Sequence, residues 1–125
     1  RRIEVSGWAE KLNAMGTEIH VRSVYLQGLL LMRPDQRPAK FTQWAPVWAA
    51  WQDWQNRSGT SALDLSLGLA LSRPWVHKVI VGVDGIDQMH DSLAVSEIAP
   101  PAPPPLIAQG VSDAMLVDPF NWSKL

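Results

Sequence analysis

Cysteine is absent from these 125 residues, which removes disulfide frameworks and thiolate metal sites together and fits a reducing compartment. No apolar run reaches the roughly 18 residues that a membrane-spanning helix needs, and no basic-then-apolar leader opens the chain. An excess of either charge is missing too. The formal net charge is −1, and the scattered basic residues form no stripe that would track the phosphates of a nucleic acid. The serine-hydrolase elbow GxSxG, the phosphate loop GxxxxGK[ST], the zinc motif HExxH and the dinucleotide fingerprint GxGxxG are all lacking. His20, His77 and His90 stand far apart in the sequence, and none has a carboxylate or second histidine at metal-like spacing. Asp87 and Asp91 flank His90 as a solvated helix face does, and each histidine reads as structural or exposed. The expectation is a soluble, cytoplasmic protein with no metal and no nucleic-acid partner.

What the chain does have is apolar bulk. Hydrophobic residues make up 46% of it and seven are tryptophan, enough buried area for one globular unit. The stretch that organises the rest is Lys78 to Leu93, KVIVGVDGIDQMHDSL. Val79, Ile80, Val81 and Val83 run without polar alternation, as in a strand covered on both faces of a parallel sheet. From Ile86, the spacing of Ile86, Met89 and Leu93 predicts a helix packed on one side, with Asp84 as its cap and Asp87 completing a capping-box-like pair. A strand running directly into a helix N-terminus places backbone N–H groups where phosphates bind in α/β proteins.

Taken in order, the chain opens on Arg1-Arg2 rather than Met, and the N-terminus is expected to be a cut. Ile3 to Val5 reads as the tail of an extended segment and Ser6 as a cap. Trp8, Leu12 and Met15 make the apolar stripe of a short helix ended at Gly16. Glu18 to Leu26 reads as a strand, followed by Gln27-Gly28 and the short apolar run Leu29 to Met32. Trp44, Trp48 and Trp51 recur at helical spacing, with Val47 and Trp54 beside them, and Pro46 belongs in the first turn of that helix. Periodic aromatic spacing favours core packing over the alternative, an exposed aromatic surface for sugars or a partner. Ser58-Gly59 ends this helix. Ser61 with Asp64 starts the next, whose leucines are spread so widely round its circumference that more than one side must be covered; Arg73-Pro74 stops it. Ile98 to Leu106 reads as a polyproline connector, with docking to a proline-recognising domain as the alternative. Met115, Leu116, Val117, Phe120 and Trp122 predict a tail that docks as a short helix and a covering arm.

Long helical connections between two strands imply parallel pairing with right-handed crossovers. Two strands alone leave unpaired backbone on both edges and cannot cover an apolar strand. The remaining strands are expected from a missing part of the same polypeptide or from another chain. By spacing, the only site-like places are the two strand ends with their glycines, Gln27-Gly28 and Gly82 to Gly85.

Three segments resemble the closing part of the bacterial aldo/keto reductases in order and separation: VRSVYLQGLLLM at 21–32, ALDLSLGLALSRP at 62–74 and VIVGVDGIDQMHDSL at 79–93. The late Val117-Asp118-Pro119 with Trp122 looks like the tail of one bacterial branch. The resemblance implies the α/β fold class, as the C-terminal segment of a (β/α)8 TIM barrel holding its seventh and eighth strands in parallel with their helices, incomplete in this chain. With the proline segment and apolar tail read above, the expected organisation is a partial barrel over 1–98, as the resemblance implies, then a proline-rich connector over 99–106 and a docking tail over 107–125. It further implies an NAD(P)H cofactor at the carboxyl ends of the strands.

Carried over by position, the family's serine and turn after strand seven, which wrap the pyrophosphate, match Ser23, Tyr25, Leu26, Gln27 and Gly28. The phosphate-binding turn after strand eight matches Gly82, Val83 and Asp84. Gln88, Asp91 and Ser92 stand at positions that hold the adenine. Asp84 departs from the family's serine, and Gly82 and Gln88 replace the lysine and arginine of NADP-selective members, so charge gives NADPH no support and leaves NADH open. The family's catalytic aspartate, tyrosine, lysine and histidine come from earlier strands and have no counterpart here. The parent enzyme that the resemblance implies transfers hydride to a small carbonyl substrate, sugar-related molecules among the expectations. Two other classes stay open: a non-enzymatic half-barrel or interaction module that self-associates, with a second copy covering the sheet edges, and a ligand-binding α/β domain of another fold.

Overall fold

In the computed structural model, which describes residues 2–95, 100–108 and 111–125, two short strands lie side by side in parallel. Chain order runs through α1 (Arg2–Val5), α2 (Trp8–Ala14), β1 (His20–Arg22), two 3-10 turns (Pro34–Gln36 and Ala39–Trp44), α3 (Ala45–Ser58) and α4 (Ala62–Leu71). It continues with β2 (Lys78–Ile80), α5 (Ile86–Ala94), α6 (Pro105–Ala108), α7 (Ala114–Val117) and a last 3-10 turn, Pro119–Lys124. The register pairs His20 with Lys78, Val21 with Val79 and Arg22 with Ile80.

A side chain fastens the start of this sheet. The Ile19 N–H donates to His77 Nδ1 at 3.1 Å, while the His77 N–H donates to the Ile19 carbonyl at 3.0 Å. The imidazole thus stands in for a backbone acceptor, which requires its proton on Nε2.

Both strands are shorter and barer than their sequences imply. The expected strand from Glu18 to Leu26 ends at Arg22, because Ser23 takes φ 62° and leaves the extended region. Val79 is half-buried, but Ile80 on the other face is 55% exposed. The expectation of a β2 covered on both faces is therefore corrected: side chains alternate across a strand, and among the described residues nothing lies over the face that carries His20, Arg22, Lys78 and Ile80.

The core lies instead around α3. Phe41, Trp44, Trp48, Leu29 and Leu116 form one buried cluster; Trp51, Trp54 and Leu65 form a second, and Leu30 packs against both. The tryptophan stripe is core, as its spacing implies. Two of the central indoles find acceptors, Trp48 Nε1 donating to the Phe41 carbonyl at 2.8 Å and Trp51 Nε1 to the Leu30 carbonyl at 3.0 Å, while Trp54 Nε1 is buried with no partner among the described residues. Pro46 sits in the first turn of α3, and Gly59, at φ 64°, ends it in the left-handed conformation. Ser61 caps α4 by accepting the Asp64 N–H at 3.1 Å; the consecutive residues Leu65 to Gly68 are all buried, so α4 is covered on more than one side as its leucines imply, while Leu71 at its end is exposed.

Local corrections follow from short-range hydrogen bonds. Ile3 to Val5 belong to the helical turn α1 rather than an extended segment, and Ser6 Oγ donates back to the Ile3 carbonyl at 3.1 Å instead of capping α2. Gly7 starts α2, whose buried residue is Ala9; Trp8 and Met15, expected in its packed stripe, are exposed, with Lys11 Nζ 4.6 Å from the Trp8 ring centre. Of the expected polyproline segment, Ile98 lies outside the described residues. Residues 100–104 carry no regular structure, and Pro105 opens the turn α6, a position that proline tolerates. Ile107 from α6 packs against the second cluster.

The tail completes the first cluster. Asp113 caps α7 by accepting the Met115 N–H at 2.9 Å, and its other oxygen accepts Trp44 Nε1 at 2.9 Å. The Trp122 ring stands edge-on to Phe41 at 4.8 Å, its Nε1 donates to the Leu116 carbonyl at 2.9 Å, and Lys40 Nζ donates to the Trp122 carbonyl at 2.8 Å. Phe120, expected among the docking residues, is 82% exposed. Among the described residues no helix is long and apolar enough to cross a membrane.

Candidate functional site

Beyond Arg22 the chain makes a turn that few sequences adopt. Ser23 (φ 62°), Leu26 (49°), Gln27 (54°) and Gly28 (80°) lie in the left-handed region, which only glycine enters freely and which costs other residues about 1 kcal/mol or more each. Such a turn persists only if its surroundings hold it. The Leu26 N–H donates to the Ser23 carbonyl at 2.9 Å and the Leu30 N–H to the Tyr25 carbonyl at 3.2 Å. Leu26 and Leu29 are set in the first core cluster, and Trp51 grips the Leu30 carbonyl from behind. The N–H groups of Gln27 and Gly28 have no acceptor among the described residues. Strained backbone with free donors at a strand end is a recurring feature of ligand sites.

The second strand end faces this turn. Gly82 has no neighbour within 4 Å of where a Cβ would sit, so a ligand can approach its backbone closely. Between the two ends lies an open cleft of about 510 Å³, walled by Arg22 to Tyr25 with Gln27 and Gly28 on the β1 side and by Ile80 to Asp84 on the β2 side. It is large enough for part of a nucleotide.

The cleft unites Ser23, Tyr25, Gln27, Gly28, Gly82, Val83 and Asp84 among the residues singled out from sequence. Leu26 is not on its wall, since it packs into the core. Asp91 and Ser92 lie further along α5, outside the lining. Asp84 does not cap α5; Gly85 holds that position with no side-chain hydrogen bond. Instead the Asp84 N–H donates to Gln88 Oε1 at 2.8 Å, so Gln88 closes the junction and its oxygen is already engaged. Both side chains can bond locally to this backbone, and the path of Gly82 to Gly85 brings Gln88 within reach first.

Arg22 was missed. Its signal was present in the alternation of β1, which puts its side chain on the bare face beside Ile80, at the carboxyl end of the sheet. Neither Arg22 nor Asp84 has an ion-pair partner among the described residues. The cleft therefore carries one cation on the β1 side and one carboxylate on the β2 side.

No family model, curated protein or solved structure matches the chain. Chemistry at the cleft must be argued from its groups alone. Among the described residues no three histidine, aspartate or glutamate side chains gather as metal ligands would. The Tyr25 hydroxyl is buried with no hydrogen-bond partner among the described residues. On its β1 side the cleft offers amide donors, a guanidinium and a hydroxyl, which can bind an anion, and on its β2 side the Asp84 carboxylate.

Charged groups gather at the opposite, amino end of the sheet. Glu18 Oε2 lies 2.9 Å from His20 Nε2 and 3.3 Å from Lys78 Nζ, tying the two strands together. Hydrogen bonds from His20 and then Lys78, with the charge of Lys78, hold the Glu18 carboxyl below its ordinary value of 4.5. A lowered carboxylate stabilises the fold above pH 4.5 and ceases to do so as pH falls through the lowered value. Glu18→Gln should therefore be less stable than the native chain at neutral pH, and the gap should close as pH drops below 4.5. Thermal unfolding at successive pH values reads this directly. The gap should be small and shrink further in salt, because the groups are exposed.

Arg37 is a different case. Burial pushes its guanidinium below the usual arginine range, and it lies 4.3 Å from the Trp48 ring centre while donating to the Met32 carbonyl at 3.3 Å. It is a packing residue far from the cleft in role, covering the tryptophan face.

Proposed function

We propose that this chain is the cofactor-binding C-terminal portion of an aldo/keto reductase that acts in the cytoplasm, with β1 and β2 as neighbouring strands of a (β/α)8 barrel. The observation that carries the reading is the cleft itself: two parallel strands, adjacent and in register, whose glycine-bearing turns meet at their carboxyl ends. Ligands bind at that end of parallel sheets.

The residues fit a nicotinamide dinucleotide. The free amides of Gln27 and Gly28, with Ser23 and the Arg22 guanidinium, would hold the pyrophosphate. Gly82 and Val83 would take the adenosine side, and Gln88, Asp91 and Ser92 lie along α5, the helix that follows. A bound dinucleotide supplies hydride for a small carbonyl substrate, sugar-related ones included, and the proton comes from a tyrosine outside this chain. Within the chain, the work is binding and orientation.

Titrating NADH into the chain should quench tryptophan fluorescence saturably. Gly82→Leu places a side chain in open space and fills the cleft, so it should abolish the quench while leaving the near-ultraviolet circular dichroism unchanged. Absence of any saturable signal from the native chain would sink the reading.

A second reading rests on a different observation. Ile86, Met89 and Leu93, spaced to share one face of α5, are all exposed, Ile80 on the bare sheet face is exposed with them, and both sheet edges are unpaired among the described residues. A self-associating half-barrel would cover these surfaces with a second copy, and sedimentation would then give a defined dimer with no affinity for nucleotide.

A further inference from the structure

The charges around the cleft are sorted by side. On the β1 side stands Arg22, without an ion-pair partner among the described residues. On the β2 side, residues 81–93 hold three aspartates, Asp84, Asp87 and Asp91, and neither lysine nor arginine. Lys78, the basic residue of β2, sits at the other end of the strand against Glu18. Asp84 lines the cleft, its side chain makes no hydrogen bond among the described residues, and its N–H is closed by Gln88 Oε1 at 2.8 Å. At this position the junction presents the Asp84 carboxylate in place of its amide donor.

We propose that Asp84 makes this cleft select a dinucleotide whose adenosine ribose keeps its free 2′,3′-diol, NADH, over its 2′-phosphorylated counterpart, NADPH. The proposal rests on the dinucleotide reading above and on its placing of the adenosine at β2. A carboxylate is acceptor-only, so it pairs with the two hydroxyl donors of a ribose diol. A phosphate at the 2′ position carries nearly two negative charges, removes one of those donors and meets Asp84, with Asp87 close behind in the first turn of α5. Like charges brought together in this way are a means of rejecting the wrong ligand as much as of binding the right one. The pyrophosphate, common to both dinucleotides, is served by Arg22 and the Gln27 and Gly28 amides and discriminates nothing.

Binding of NADH and NADPH to the full chain, measured by tryptophan quenching at fixed ionic strength, tests the assignment. NADH should bind about tenfold tighter or more, and 5′-AMP should compete for the cleft where 2′,5′-ADP does not. In Asp84→Ser and in Asp84→Asn, which remove the charge from a side chain with no structural hydrogen bond, the preference should shrink or reverse through a gain in NADPH affinity. Equal or tighter binding of NADPH by the native chain would overturn the selection while leaving the dinucleotide reading intact. A preference unchanged in both variants would remove Asp84 from its role. Failure of both dinucleotides to bind would overturn the selection and the dinucleotide reading together.

Discussion

Trp51→Ala should lose about 3–5 kcal/mol of stability and, with it, ligand affinity at a cleft the indole never touches. Trp51 is only 4% exposed and stands edge-on to Trp54 at 5.6 Å, so its removal leaves a cavity in the second core cluster. Domains of this size are stable by about 5–15 kcal/mol, and such a loss takes a large share of it. The coupling to the cleft runs through one hydrogen bond, Trp51 Nε1 to the Leu30 carbonyl, immediately behind the left-handed turn. Trp51→Phe separates the effects: it keeps most of the packing, should cost about 1 kcal/mol for the lost bond, and should still weaken nucleotide binding. Urea unfolding and nucleotide titration of both variants check this. Equal affinity in Trp51→Phe and the native chain would show that the turn holds without its indole.

Deletion of residues 111–125 should abolish cooperative unfolding altogether. Leu116 is 2% exposed, and Val111, Met115, Val117, Trp122 and Leu125 pack against the same cluster. Each fully buried side chain of this size contributes about 1.5–3 kcal/mol. The tail takes with it Leu116 and five partly buried neighbours, the acceptor of Trp44 Nε1 and the edge-on partner of Phe41, which opens the first core cluster to water. The truncated chain should show far-ultraviolet helix signal without near-ultraviolet tryptophan signal. Addition of a peptide spanning 111–125 should restore the second. Leu116→Ala alone should cost about 2–5 kcal/mol and remain cooperative.

Features carried by period and punctuation were legible in the chain itself. The spacing of Trp44, Trp48 and Trp51, Pro46 at one end of α3 and Gly59 at the other mark that helix and its buried face. Ser61 and Asp64 mark the start of α4. The parallel neighbouring of β1 and β2 followed from the long helical connection between them. Features set by competition between equivalent local bonds were not. Asp84 and Gln88 both suit the β2–α5 junction, and only the backbone path decides between them. The buried face of α2 is marked by Ala9, whose single methyl carries little periodic signal beside Trp8 and Met15. The extent of β1 depends on the φ of Ser23, a residue type that reads equally well as strand. Within the cleft, seven of the eleven positions singled out from sequence converge, while Arg22, which lines it too, carries no motif beyond its place in a predicted strand.

The turn from Ser23 to Gly28 is bonded to itself, rooted in the core through Leu26 and Leu29, and gripped by Trp51. Its unusual conformation is thus preorganised: the entropy of ordering these residues is lost during folding and not at the moment of docking. A molecule arriving at the cleft meets amides already fixed in direction, so selectivity at this end resides in shape and charge rather than in the pliancy of a closing flap.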